Sequence, residues 1–298
     1  MKRKIALFTA MIMLISSLVS ACAPKVKLDQ EPPKSLKVLA IGGSFSMDAM
    51  EFLYGIATDG GVEEVVLGNL FLGGGSLEQH VENARGDLPN YTYYKNSTGD
   101  WESTENYTIA DAIADEDWDY ISLQQTSALS GLKEPYEKDL ANLIACVREV
   151  NTEAELIWHM TWSYAADCEE EAFADYNNDQ MTMYEMIVER IDDCISKEEE
   201  LKMVIPCGTA IQNARTSYLG DTLNRDGFHL TRQVGRYIAG MAWFAALTKA
   251  PVENITYNPF PGLITDEVIA VAKEAATNAV QNPYEVTESV YTEGEDKK

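Results

Sequence analysis

Two stretches of this chain carry residue types that can do nucleophilic chemistry together. Late in the chain, Asp226-Gly227-Phe228-His229 puts a histidine three residues after an aspartate. At that spacing one loop can hold both side chains. The carboxylate then fixes the imidazole tautomer and leaves the other ring nitrogen free to take a proton. Early in the chain, Lys37-Val38-Leu39-Ala40-Ile41 reads as a short central strand, and Gly42-Gly43-Ser44-Phe45-Ser46 follows it. A serine there stands at the carboxyl edge of a parallel sheet, where open α/β sheets place their ligands. Each stretch alone has a plainer reading, Ser44 as a helix N-cap and Asp226 as a cap beside a half-buried histidine. Their joint presence supplies a nucleophile and a base oriented by an acid, with Ser44, Asp226 and His229 as the candidate catalytic set.

Two further loops supply groups suited to a developing negative charge. Leu72-Gly73-Gly74-Gly75-Ser76 follows a second apolar run, and glycines there let backbone N–H groups approach an anion. The triplet has neither P-loop nor dinucleotide-fingerprint spacing. Gln124-Gln125-Thr126-Ser127 follows a third apolar run and offers a side-chain amide at a strand end. Residues alternate along a strand, so one of Gln124 and Gln125 faces inward, and Gln125 is the preferred candidate. Trp158, His159, Trp162, Gln212, Asn213 and Arg215 come after other strand ends and are expected to line the cleft, with Trp162, Gln212, Asn213 and Arg215 as candidate substrate contacts.

These loops require a scaffold in which strands and helices alternate. Apolar runs at 36–41, 63–69, 118–124, 156–160 and 203–206 predict strands. Helical patterns predict helices over about 46–58, 77–84, 135–150, 180–196 and 265–280. Thr265 followed by Asp266 and Glu267 marks the start of the last of these. Val234, Tyr237, Ile238, Met241 and Ala245 share one helical face. Aromatic and threonine-rich runs around Asn96-Ser97-Thr98-Gly99-Asp100 predict a hairpin. The alternation implies an α/β chain, a three-layer sandwich around a mostly parallel sheet.

The ends read differently. Lys2, Arg3 and Lys4 precede an apolar run from Ile5 to Val19, the pattern of a secretory signal over 1–21. Val19-Ser20-Ala21-Cys22 resembles a bacterial lipobox, which makes Cys22 the expected lipidation site and 22–35 a proline-containing tether. The domain is expected over 36–286 and a flexible acidic tail over 287–298. The chain carries a net charge of −25. Such a surface repels nucleic acid and anionic lipid, so membrane attachment is expected through an N-terminal lipid only. Cys146, Cys168, Cys194 and Cys207 leave disulfide pairing open. Three histidines and no ligand spacing argue against a metal centre.

In order, Gly42-Gly43-Ser44-Phe45-Ser46, Gly73-Gly74-Gly75-Ser76, Gln124-Gln125-Thr126-Ser127 and Asp226-Gly227-Phe228-His229 resemble the motifs of the SGNH (GDSL-type) hydrolase superfamily. The likeness runs from Leu36 to about Leu247. The glutamine pair, the run from Ile205 to Arg215 and Asp-Gly-Phe-His-Leu are similar to a branch of bacterial lipoproteins known mainly as a domain of unknown function. The resemblance implies a flavodoxin-like architecture, an oxyanion site built from Ser44, Gly74 and a glutamine, and no metal or organic cofactor. It implies an exported, membrane-anchored serine esterase that removes acetyl groups from a small-molecule or glycan ester. The chain departs from the superfamily in having Gly43 where Asp or Asn usually precedes the serine, and glutamine where Asn is usual. Gly43 keeps open the alternative of a non-catalytic glycan-binding lipoprotein on the same fold.

Overall fold

The structure, a computed structural model, describes residues 26–292. The apolar run after Lys37 is β1 (Ser35–Gly42), buried at every residue from Val38 onward, as expected of a central strand covered on both faces. Parallel to it lie β2 (Glu64–Phe71) on one side and β5 (Tyr120–Leu123) on the other. Beyond β2 the predicted hairpin forms as the antiparallel pair β3 (Tyr91–Asn96) and β4 (Glu102–Tyr107). Beyond β5, β6 (Glu155–His159) and β7 (Leu201–Ile205) continue the parallel sheet. The seven strands run in the order β4-β3-β2-β1-β5-β6-β7. The chain steps from β1 to β2 and later returns past β1 to β5. The carboxyl ends of β1 and β5 therefore flank a switch point, the crevice where such sheets bind ligands.

Helices cover the sheet in two groups. α1 (Ser44–Met50), α2 (Leu53–Asp59), α7 (Cys207–Arg215), α8 (Val234–Thr248) and α9 (Asp266–Gln281) pack with one another. α3 (Leu77–Gly86), α4 (Ile109–Ala114) and α5 (Glu134–Val150) form the other group. α6 (Gln180–Arg190) follows the long β6 loop and ends in a π turn at Ile191–Ile195. Caps start helices as their sequences imply: Ser76 accepts from Gln79 N–H at α3, and Thr265 accepts from Val268 N–H at α9.

Four expectations need correction. The single helix over 46–58 is two, and at the break between them the Glu51 carbonyl accepts from the Trp101 indole. The run after Pro206 does not line the cleft with Gln212, Asn213 and Arg215; it is α7, buried along its whole length. The tether and tail are partly docked. Leu28 packs on the core, Gln30 N–H donates to the Lys249 carbonyl, and the Lys34 carbonyl accepts from Glu63 and Glu64. At the other end Asn213 Oδ1 accepts from Thr287 N–H, Thr216 Oγ1 from Ser289 N–H, and the Tyr291 carbonyl from Tyr218 N–H. The signal segment and Cys22 lie outside the described residues. Cys146, Cys168, Cys194 and Cys207 are all free thiols.

One polar junction ties together the two stretches that carry Ser44 and His229. Asp48, one turn after Ser44 on α1, is 1 % exposed. Its carboxylate accepts from Arg225 Nη1 (3.0 Å), Arg236 Nε (2.8 Å) and Leu230 N–H (2.9 Å). Arg236 also pairs with Glu51 at 3.0 Å. A buried carboxylate is tolerated only when paired and hydrogen-bonded in this way. Removing it takes from both guanidinium groups the buried carboxylate they share, leaving Arg236 with Glu51 and Arg225 with Asp226 at 3.8 Å. Asp48→Ala should cost about 3 kcal/mol, the low end of the range for breaking a buried pair because both arginines keep some water. Urea unfolding of the two proteins checks this, and a loss under about 1 kcal/mol would refute it.

Two of the histidines are core residues. His80 on α3 stacks on Tyr91 of β3, with Nδ1 2.8 Å from the phenol oxygen, and His159 ends β6. Burial drives the pKa of His80 down to about 4 and that of His159 to about 3. Both stay neutral in the folded chain under conditions that protonate them in the unfolded one. Their contribution is full above about pH 6.5 and is lost as pH falls from there toward the folded values. Between about pH 6 and pH 5, unfolding should take up roughly 1.5 to 1.8 protons through these two rings, a slope of roughly 2 to 2.5 kcal/mol per pH unit. Urea midpoints across that interval provide the measurement, and a flat profile contradicts the assignment.

Candidate active site

β1 delivers Ser44, the candidate nucleophile. Its strand ends at Gly42, Gly43 turns the chain, and Ser44 opens α1. A Cβ on Gly43 would stand 2.6 Å from the Leu72 carbonyl oxygen and 3.8 Å from Gly74 N. The serine turn and the glycine loop after β2 thus pass too closely for any side chain, which accounts for glycine where an acidic or amide residue is usual. Ser46 Oγ accepts from Gly43 N–H at 3.1 Å and closes the turn.

His229, the candidate base, comes from the loop before α8. The Asp226 carboxylate accepts from the backbone N–H of His229 (2.8 Å) and of Phe228 (3.3 Å). Gly227 stands between them at φ +88°, and a Cβ there would meet Cys168 Sγ at 2.9 Å. The loop is closed by a bridge between Asn224 and Leu230 and by Arg225 N–H donating to the His229 carbonyl. His229 Nδ1 lies 2.8 Å from Asp226 Oδ2, and its Nε2 lies 2.8 Å from Ser44 Oγ. With the Nδ1 proton held by the carboxylate, Ser44 Oγ–H donates to Nε2. Partial burial raises the Asp226 pKa, but hydrogen bonds and charge from His229 outweigh it, and the carboxyl sits below its ordinary value. Asp226 is therefore ionised at neutral pH.

These groups border a pocket of about 320 Å³ at the carboxyl edge of the sheet. Phe45, Phe71 and Phe228 form its apolar walls; Gly73, Gly74, Gly75, Gln124, Thr126 and Ser127 complete it with Ser44 and His229. No lysine, arginine, aspartate or glutamate lines it. Gly74 has φ +66°, a backbone open to glycine. Ser44, Gly74, Gln124 and His229 thus converge as the sequence predicts.

The preferred glutamine does not. Gln125 is buried toward α3, where its Oε1 accepts from Leu77 N–H (3.2 Å) and Thr126 N–H (2.8 Å). Gln124 is the one at the pocket, because alternation past the end of β5 turns it inward. The four expected substrate contacts are supports instead. Trp162 is fully buried, stacks on Phe45 at 4.2 Å and donates from Nε1 to the Phe228 carbonyl. Arg215 donates from Nη1 to Ser163 Oγ and Gln212 Oε1, and from Nη2 to Asn224 Oδ1 at 2.7 Å. Gln212 donates to Gln180, and Asn213 holds the C-terminal segment. Trp158 and His159 are core as well. Sequence reasoning missed Asp48 and its arginines, although Asp48 is the only charged residue in α1 and follows Ser44 by four positions, on the same helical face.

Comparison with known proteins adds the following. No curated protein matches the chain. A protein from Slackia heliotrinireducens, assigned provisionally to the SGNH hydrolases, aligns over 72 % of this chain and 99 % of its own with 17 % identity and a TM-score of 0.46. LAE5, an alpha/beta hydrolase enzyme from the metagenome of Lake Arreo, aligns over 73 % of this chain and 95 % of its own with 12 % identity and a TM-score of 0.41. At those levels neither bears on activity. A crystal structure from Bacteroides uniformis, of a DUF4886 family protein, is 43 % identical and covers 87 % of this chain and 100 % of its own, with a TM-score of 0.83. The family model for DUF4886, a domain of unknown function, matches residues 37–279, and the chain therefore belongs to that family.

Proposed function

We propose that this chain is an SGNH-type serine hydrolase that transfers an acyl group from an ester to water, acting on acetylated carbohydrate outside the cytoplasm. The observation that carries the reading is the unbroken relay Asp226–His229–Ser44, both links 2.8 Å, opening on a pocket shared with Gly74 and Gln124. Ser44 Oγ attacks the ester carbonyl as its proton passes to His229 Nε2, and Asp226 stabilises the imidazolium. The N–H groups of Ser44 and Gly74 and the Gln124 amide receive the oxyanion, where one donor is worth roughly 3–4 kcal/mol. His229 then protonates the leaving alcohol and activates the water that releases the acid. Residues of this chain carry every step.

An uncharged acyl group such as acetyl suits the pocket, whose walls are uncharged and aromatic. A sugar carrier agrees with the net charge of −25, which disfavours anionic substrates. The glycan-binding alternative rested on Gly43. The close approach of the Leu72 carbonyl gives that residue a steric reason, and a binding module has no need of a serine hydrogen-bonded to an oriented histidine. Attachment to the membrane through acylated Cys22, after removal of 1–21, belongs to the same proposal.

Kinetics on an activated acetyl ester, with acetate release from a panel of acetylated glycans, test the chemistry. Ser44→Ala and His229→Ala should each abolish nearly all turnover, and the double variant should be no worse, because the pair acts as a unit. Asp226→Asn should lose roughly 10⁴-fold in kcat. Gln124→Ala should lose roughly 10²–10³-fold with KM nearly unchanged, whereas a binding role would show the reverse split. Hydrolysis intact in Ser44→Ala would sink the serine mechanism. For the anchor, Cys22→Ser should move the expressed protein out of the membrane fraction and abolish incorporation of labelled fatty acid; a lipidated Cys22→Ser protein would exclude it.

A further inference from the structure

We propose that His159 is a positioning residue that holds the Gln124 carboxamide with its N–H₂ end toward the pocket and so sets the third oxyanion donor. This rests on the hydrolase reading above. His159 is 1 % exposed, and its Nδ1 lies 3.0 Å from Gln124 Oε1. That is the ring's one hydrogen bond, since Nε2 is buried without a partner. Burial keeps the ring neutral, with a pKa of about 3, so it carries a single N–H. A buried N–H left without an acceptor is rarer and costlier than a bare acceptor. The proton therefore sits on Nδ1 and is donated to Gln124 Oε1. With its oxygen engaged, the amide has only its nitrogen to offer the pocket that Gln124 lines.

The ring cannot swing away. Trp243 meets it edge-on at 5.2 Å and Trp162 tilts against it at 6.0 Å. Trp162 in turn stacks on Phe45, next to the nucleophile. One aromatic stack thus braces both Ser44 and the residue that orients the oxyanion amide. Without the imidazole a carboxamide can turn over and present its oxygen, which repels the negative charge it should receive. The choice of glutamine at this edge then has a partner: its longer arm spans from the pocket to a core histidine.

Two measurements test this. In the full chain labelled with ¹⁵N-histidine, three histidines are resolvable, and His159 is identified by its loss in His159→Asn. It should show the Nδ1–H tautomer unchanged from about pH 5 to 8. An Nε2–H tautomer would overturn the proposal outright, because Gln124 would then face the pocket with its oxygen. In steady-state assays on an activated acetyl ester, His159→Leu should lower kcat roughly 10- to 100-fold with KM within about twofold. His159→Asn keeps an N–H near the Nδ1 position and should recover most of that loss. On a Gln124→Ala background His159→Leu should add little, as expected for residues acting through one another. Equal losses in the Leu and Asn variants, or full additivity with Gln124→Ala, refute the proposal. Should His159→Leu fail to fold, the tautomer and the Asn variant decide. A wild-type chain without Ser44-dependent turnover fails the hydrolase reading, whereas turnover indifferent to His159 fails this inference alone.

Discussion

The buried carboxylate of Asp48 is the interaction on which the placement of His229 depends. Ser44 and His229 are 185 positions apart, yet their side chains must meet at hydrogen-bond distance. The histidine comes from a loop, and loops are the more mobile parts of a fold. Asp48 removes that freedom by receiving Arg225 and Leu230, the residues flanking the Asp-Gly-Phe-His turn, and Arg236 from α8. Desolvating a carboxylate costs several kcal/mol, and the cost is offset only when all donors are in place. The junction therefore favours one register of loop against helix, and that register aligns the relay.

Close approach is the second constraint. The serine turn and the glycine loop pass so near each other that Gly43 admits no side chain, and Gly227 is confined in the same way by Cys168. The Phe45–Trp162 stack fills the space below, and Trp162 also holds the Phe228 carbonyl. Such packing leaves polar groups few ways to be satisfied, so those present adopt fixed roles. Arg215 shows this: its guanidinium bonds to Ser163, Gln212 and Asn224 and joins the β6 loop to the segment leading into the catalytic turn. The pocket itself keeps no charge beyond the relay, so the N–H dipoles at its edge meet no competing charged side chain.

The sequence by itself determined the alternation of strands and helices, the position of Ser44 after β1, and the Asp226–His229 pair. These are local properties: apolar period, glycine at a turn, and a spacing of three residues within one loop. The glycine loop and the glutamine pair were legible for the same reason. Tertiary structure alone decided which glutamine faces the pocket, because strand alternation gives two answers until the sheet has a front and a back. It turned Gln212, Asn213 and Arg215 into buried supports, because the helix that carries them is enclosed along its whole length and its polar side is buried along with its apolar one. It gave His159 its place behind Gln124 and Asp48 its place between α1 and the Asp226–His229 loop. Those are contacts across long sequence separations, and their geometry exists only once the core has closed around them.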